Sequence, residues 1–172
     1  MKIKKILKET IVFIIVVFLI TNIVGYYRTL NVKANKIATL KELKTINNIS
    51  IKELINRKKI LVLNFWGTWC PVCNQEVSTL SQLAKRDDIT LITIAVNSGS
   101  DNDIKSYMQK KGISFIVIND NKGELAKIFY ISVYPTTIFY SNNLMYSIKD
   151  SGYTTKAGFV SRIKYMELKS DK

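Results

Sequence analysis

Residues 60–73 read ILVLNFWGTWCPVC. The run Ile60–Phe65 suits a strand buried on both faces. Pro71 suits the first turn of a helix, where its missing N–H removes no bond. The chain holds two cysteines, Cys70 and Cys73, and both fall where that strand hands over to that helix. A fold for this chain must therefore bring a buried strand directly into a helix that begins with a pair of thiols.

The rest of the chain repeats the alternation. Ser50–Asn56 reads as a helix with Ser50 and Glu53 in capping-box positions. Pro71–Lys85 continues as a helix, and Ile89–Asn97 is a second buried strand. Asp101–Lys111 is helical and stopped by Gly112. Ser114–Asn119 reads as a strand, Glu124–Ile131 as a short helix, and Val133–Tyr140 as a strand carrying Pro135. Leu144–Lys149 pairs with that strand across Ser141-Asn142-Asn143, and Lys156–Lys169 is a closing helix. Strands and helices that alternate and then end in a hairpin give an α/β fold with a mixed sheet. In open α/β sheets, chemistry sits where strands end and helices begin.

Two thiols three apart have a small set of uses. A structural zinc wants four ligands, usually Cys and His, and this chain has no histidine. Haem attachment needs His after the second Cys, and Asn74 is there. A purely structural disulfide would close a very short loop, where loop-closure stabilisation is small. A redox pair has a direct physical basis. Cys70 stands at a helix N-terminus, where unpaired N–H groups and the macrodipole favour its thiolate, and a thiolate is the attacking species. Cys73 lies one turn on, within reach to resolve a mixed disulfide. At about 100° per residue, Val77, Leu80 and Ala84 fall within about 40° of Cys73, which sets Cys73 on the core-facing stripe and leaves Cys70 at the exposed mouth. Glu76 falls inside the same apolar arc. It is either a solvated first-turn acid that suits the dipole or a partly buried carboxyl with a raised pKa that carries the proton of Cys73. The absence of histidine also excludes His-dependent triads and His general bases.

The N-terminal region is different in kind. Thr10–Tyr27 is uncharged, and at about 1.5 Å rise per residue a helix of that length just spans a hydrocarbon core. Lys2, Lys4, Lys5 and Lys8 precede it, and Tyr26 and Tyr27 sit where an aromatic belt would lie. Gly25-Tyr26-Tyr27-Arg28 is a poor signal-cleavage site, so the segment reads as an uncleaved anchor. The expected organisation is a basic cytoplasmic tail over 1–9, a transmembrane signal-anchor over 10–27, a linker over 28–48 and a folded domain over 49–172. The net charge of +13 comes from lysines spread along the chain. They form no stripe with interleaved aromatics, so nucleic acid is not an expected partner. Attraction to anionic lipid fits the excess near the anchor better.

Over about residues 46–170 the chain resembles the thioredoxin superfamily. The strand–WCxxC–helix pattern is ILVLNFWGTWCPVC, and VYPTT at 133–137 is similar to the family's cis-proline loop. The resemblance implies a thioredoxin-like three-layer α/β fold, a mixed central sheet flanked by helices, here with one N-terminal transmembrane helix. The chain is more closely similar to the membrane-anchored TlpA/ResA-like thiol-disulfide oxidoreductases, which carry NFWxxWCxxC and a Glu three residues after the second Cys, matched by Glu76. The CPVC pair is also similar to suppressor-of-copper-sensitivity-type members.

The resemblance assigns roles. Cys70 is the nucleophile and Cys73 the resolving thiol, and Glu76 would serve as the buried acid. Trp69, Tyr134 and Pro135 meet the substrate, Trp69 covering the disulfide and a cis Tyr134–Pro135 bond facing the CxxC. Pro71 and Val72 replace the Gly-Pro of thioredoxin and tune Cys70. No cofactor or metal is implied. Partners are protein thiols or disulfides, a transmembrane electron donor and membrane lipid, with the catalytic domain outside the cytoplasm. The motifs do not set the direction; reduction is the preferred reading, with disulfide formation or cytochrome c maturation as alternatives, and a copper-binding module is the rival of another class. Asn64 stands where many thioredoxins have a buried Asp. An extra helix–strand insertion of the anchored branch would fall near 86–113, where the spacing is short.

Overall fold

The computed structural model describes residues 9–20, 36–55 and 59–170. The chain divides into two compact units, residues 1–38 and 39–172. In the first, residues 9–20 are helical and the apolar side chains from Ile11 to Ile20 are exposed. Among the described residues, no helix is long and apolar enough to cross a membrane. The single helix expected over 10–27 is thus observed only as far as residue 20. Residues 21–27, the basic tail 1–8 and the first part of the linker lie outside the described residues.

The second unit begins before the expected boundary at 49. Leu40 and Ile46 are buried, and the Ile46 N–H donates to the Val117 carbonyl at 3.0 Å. Lys44 and Ser50 form an isolated antiparallel bridge. The apolar residues scattered through the linker sequence are the cause, because Leu40 and Ile46 gain by leaving water.

The regular elements are α1 (Ile51–Leu54), β1 (Ile60–Trp66), α2 (Pro71–Leu83), β2 (Ile89–Val96), α3 (Asp101–Lys111), β3 (Val117–Asp120), α4 (Glu124–Ile128), β4 (Thr136–Tyr140), β5 (Ser147–Ser151) and α5 (Lys156–Ser170). The strands form one sheet in the order β3-β2-β1-β4-β5. β1 runs parallel to β2 and β2 to β3; β4 is antiparallel to both β1 and β5. β1 is central and buried at every position, as its unbroken apolar run requires of a strand covered on both faces. On one face, Ile60, Val62 and Trp66 join Leu80 and Leu83 of α2 and Phe159, Ile163 and Met166 of α5 in a core cluster that includes both cysteines. From the other face, Phe65 meets Phe129, just past α4, with ring centroids 5.4 Å apart.

Some boundaries differ from the sequence reading for local reasons. Ser50 is the N-cap of α1, but its hydroxyl makes no capping bond. The capping box forms instead at Ser100 and Asp103 of α3. Gly112 closes α3 in the left-handed region, φ +63°, a conformation without a Cβ penalty for glycine. β4 begins at Thr136, directly after Pro135, which has no N–H for a ladder. β5 starts later than expected because Ser141 holds the connection. Its carbonyl accepts from Leu144 N–H, and its Oγ accepts from Tyr146 N–H at 3.0 Å.

Candidate active site

β1 delivers the chain to the edge of the sheet at Trp66, and α2 starts at Pro71. Cys70 lies between them as the N-cap of α2, in extended backbone, φ −95°. Its Sγ accepts from the Cys73 N–H at 3.2 Å, so a sulfur fills the role that a hydroxyl or carboxylate fills at ordinary N-caps. Cys70 and Cys73 are joined by a disulfide, with Cα atoms 5.3 Å apart. The chain is thus in its oxidised form. Both cysteines are buried, at 4% relative exposure each. The expected contrast between an open Cys70 and a covered Cys73 is absent here. Pairing draws the leading sulfur onto its partner, which belongs to the core cluster.

Trp69 is the exposed side chain beside the pair, at 52%. Its indole N–H donates to the Val96 carbonyl at 3.0 Å, and its ring packs edge-on against Tyr134 with centroids 5.3 Å apart. Gly67 makes this pose available, since a Cβ there would lie 2.5 Å from Trp69 Nε1. Pro71 and Val72 are also exposed. The Tyr134–Pro135 bond is cis. β4 pairs with β1 so that Thr136 opposes Phe65. Pro135 is therefore level with the last residue of β1 and approaches the sheet edge from which Cys70 departs. Pro135 itself is buried and Tyr134 half-buried. Burial, reinforced by the Asp120 charge, holds the Tyr134 phenol above its ordinary pKa.

Glu76 is the group whose two readings the structure separates. It is buried, at 1% exposure, on the same helix as Cys73. One carboxyl oxygen accepts from the Thr154 backbone N–H. The other accepts from Asn64 Nδ2 at 3.3 Å. Burial pushes its pKa up to about 7, against the pull of these two donors. It is not a solvated first-turn acid. From the sequence, Asn64 stands out only as a missing acid, and Thr137 and Thr154 carry no local mark of this role. The signal available was a polar residue in the middle of a strand buried on both faces.

The AhpC/TSA family model matches residues 32–147. The chain belongs to the AhpC/TSA family. A "Thioredoxin-like protein" of Haemophilus influenzae is 34% identical over 169 residues, 97% of this chain and 98% of that one. The "Thiol-disulfide oxidoreductase ResA" of Geobacillus kaustophilus is 28% identical over 91 residues, about half of each chain (51% and 51%). Among solved structures, a thioredoxin-family thiol:disulfide interchange protein from Chlorobium tepidum superposes with TM-score 0.61 at 28% identity, covering 72% of this chain and 90% of that one. With a disulfide between Cys70 and Cys73 at a helix start, this AhpC/TSA member is a thioredoxin-like thiol-disulfide oxidoreductase.

The raised pKa of Glu76 links folding to pH. Charging the carboxyl is harder in the fold than in the unfolded chain, so its contribution to stability falls as pH rises. The fall begins near the ordinary value of 4.5 and levels off above about 7. A shift of that size corresponds to about 3 kcal/mol. Urea unfolding of the oxidised protein should show a decline across this window, and Glu76→Gln should flatten it.

Proposed function

We propose that this chain is a membrane-tethered protein thiol-disulfide oxidoreductase that works outside the cytoplasm, in the reductive direction. The observation that carries the reading is the Cys70–Cys73 disulfide at the N-terminus of α2. In the reduced protein, Cys70 thiolate attacks a substrate disulfide, and one substrate sulfur leaves as a thiolate. Cys73 gives its proton to the Glu76 carboxylate and attacks Cys70 Sγ. The second substrate thiolate leaves, and the Cys70–Cys73 disulfide re-forms. Two electrons pass to the substrate; one leaving thiolate takes up the proton of Cys73 through Glu76, and the other takes one from solvent, replacing the proton that Cys70 lost on ionising. Trp69, Tyr134 and Pro135 form the contact surface for the substrate segment, and Pro71 and Val72 set the surroundings of Cys70. A transmembrane electron donor restores the dithiol.

What stabilises Cys70 supports the reductive direction. Strong oxidants owe their potential to a heavily stabilised reduced form. Here the donor to Cys70 Sγ is the backbone N–H of Cys73, and the chain has no histidine to place between the thiols. Residues 11–20 support the tether: they are apolar and exposed all round the helix, a pattern that suits lipid better than water.

Three measurements test this. Cys70→Ala should abolish reduction of a model disulfide substrate, and Cys73→Ala should accumulate mixed disulfides; full activity in either variant sinks the mechanism. The reduction potential should lie near −270 mV, the region of about the thioredoxin value, and a result near about −120 mV reverses the direction. Alkaline carbonate should leave the full chain in the membrane pellet and detergent should release it; extraction by carbonate alone refutes the tether.

A further inference from the structure

Asn64 is fully buried in the middle of β1. Its Nδ2 donates to Glu76 at 3.3 Å and to Thr137 Oγ1 at 2.9 Å. Thr137 is its cross-strand partner on β4. Asn64 Oδ1 has no hydrogen-bond partner among the described residues. A buried acceptor without a donor costs about 1–3 kcal/mol, and an apolar residue would have avoided that cost. The position calls for an explanation beyond packing.

The two protonation states of Glu76 ask for opposite partners. As a carboxylate it needs donors, and Thr154 N–H and Asn64 Nδ2 supply them. As an acid, its new O–H needs an acceptor, and an amide N–H₂ cannot serve. An asparagine amide offers both functions in nearly the same shape. A half-turn about Cβ–Cγ brings Oδ1 to face the Glu76 O–H, and it can also accept from the Thr137 hydroxyl. That hydroxyl donates or accepts equally well, so it follows either state. One amide atom is unpartnered in each orientation, so the amide does not lock the site in one state.

We propose that Asn64 is a positioning residue whose amide turns over with the protonation of Glu76, keeping both forms of the carboxyl hydrogen-bonded while it carries the proton of Cys73. The inference rests on the proton-carrying role given to Glu76 above. The influences on the carboxyl are its burial, the Thr154 N–H on the segment before α5 and the Asn64 amide on β1. Thr137 on β4 contributes a hydroxyl without charge, and Cys73, one turn earlier on α2, is held in the disulfide and carries no proton in the oxidised protein. An aspartate at 64 could not perform this turnover, because two adjacent carboxyls share one proton and titrate as a coupled pair.

The test is a pH titration by NMR on the oxidised full chain, which needs no exchange activity. The Asn64 side-chain Nδ2–H₂ and Cγ resonances should move through the same midpoint as the Glu76 carboxyl carbon. In Glu76→Gln the amide –NH₂ mimics the acid O–H, so the Asn64 signals should sit at their low-pH positions across the range. Asn64→Leu should slow resolution of the Cys70 mixed disulfide about tenfold at pH 7, a partial loss of a general acid–base contribution, and alter its pH profile. Asn64 signals that do not move through the Glu76 midpoint overturn the proposal, as does a Glu76→Gln spectrum at the high-pH positions. A wild-type protein that moves the Asn64 signals as expected but exchanges no disulfides would instead refute the functional reading and leave the turnover standing.

Discussion

The first turn of a helix has N–H groups with no carbonyl to meet, and in this protein a sulfur meets one of them. Cys70 caps α2 by accepting from the Cys73 N–H. The arrangement depends on β1 ending where α2 begins and on Pro71 at the first helical position. The anionic form of Cys70 inherits a site already shaped for an acceptor. Everything else in the site is placed relative to that cap: the second thiol one turn later, the carboxyl one turn beyond it, and the Trp69–Tyr134 pair at the rim.

The mixed sheet supplies the second constraint. Had β4 run parallel to β1, its start would lie at the opposite edge, far from the cysteines. Because it runs antiparallel, with Thr136 opposite Phe65, the residues just before β4 arrive beside those just after β1. The same register sets Thr137 against Asn64, so one pairing builds both the rim of the site and the polar cluster beneath it. That cluster is the point where the core departs from pure apolar packing, and it is where the fold keeps a carboxyl poised near neutrality.

Much of this was legible in the sequence. Periodicity and turn residues located β1, α2, β2, α3 and α5 to within a residue or two, because each has a long apolar stripe or a strong stop such as Gly112. The CPVC pair and the cis Tyr134–Pro135 bond were legible as motifs. Other features depend on tertiary context. The capping bond went to Ser100 rather than Ser50 because only the former has its partner at hand. The burial of Cys70 could not be read from a helical wheel, because an N-cap residue does not lie on the wheel and the disulfide draws it inward. The partners of Glu76 come from 12 and 78 residues away along the chain, a separation that no local pattern records.

One contact made outside the site also matters to the sheet as a whole. β3 lies at the border of the sheet, where a bare row of N–H and C=O groups would invite any passing strand to add on. The Ile46 N–H occupies the Val117 carbonyl there. The residues leading into the domain thus act as a selvedge on that side, filling one acceptor of a border that would otherwise stand open to a neighbouring strand.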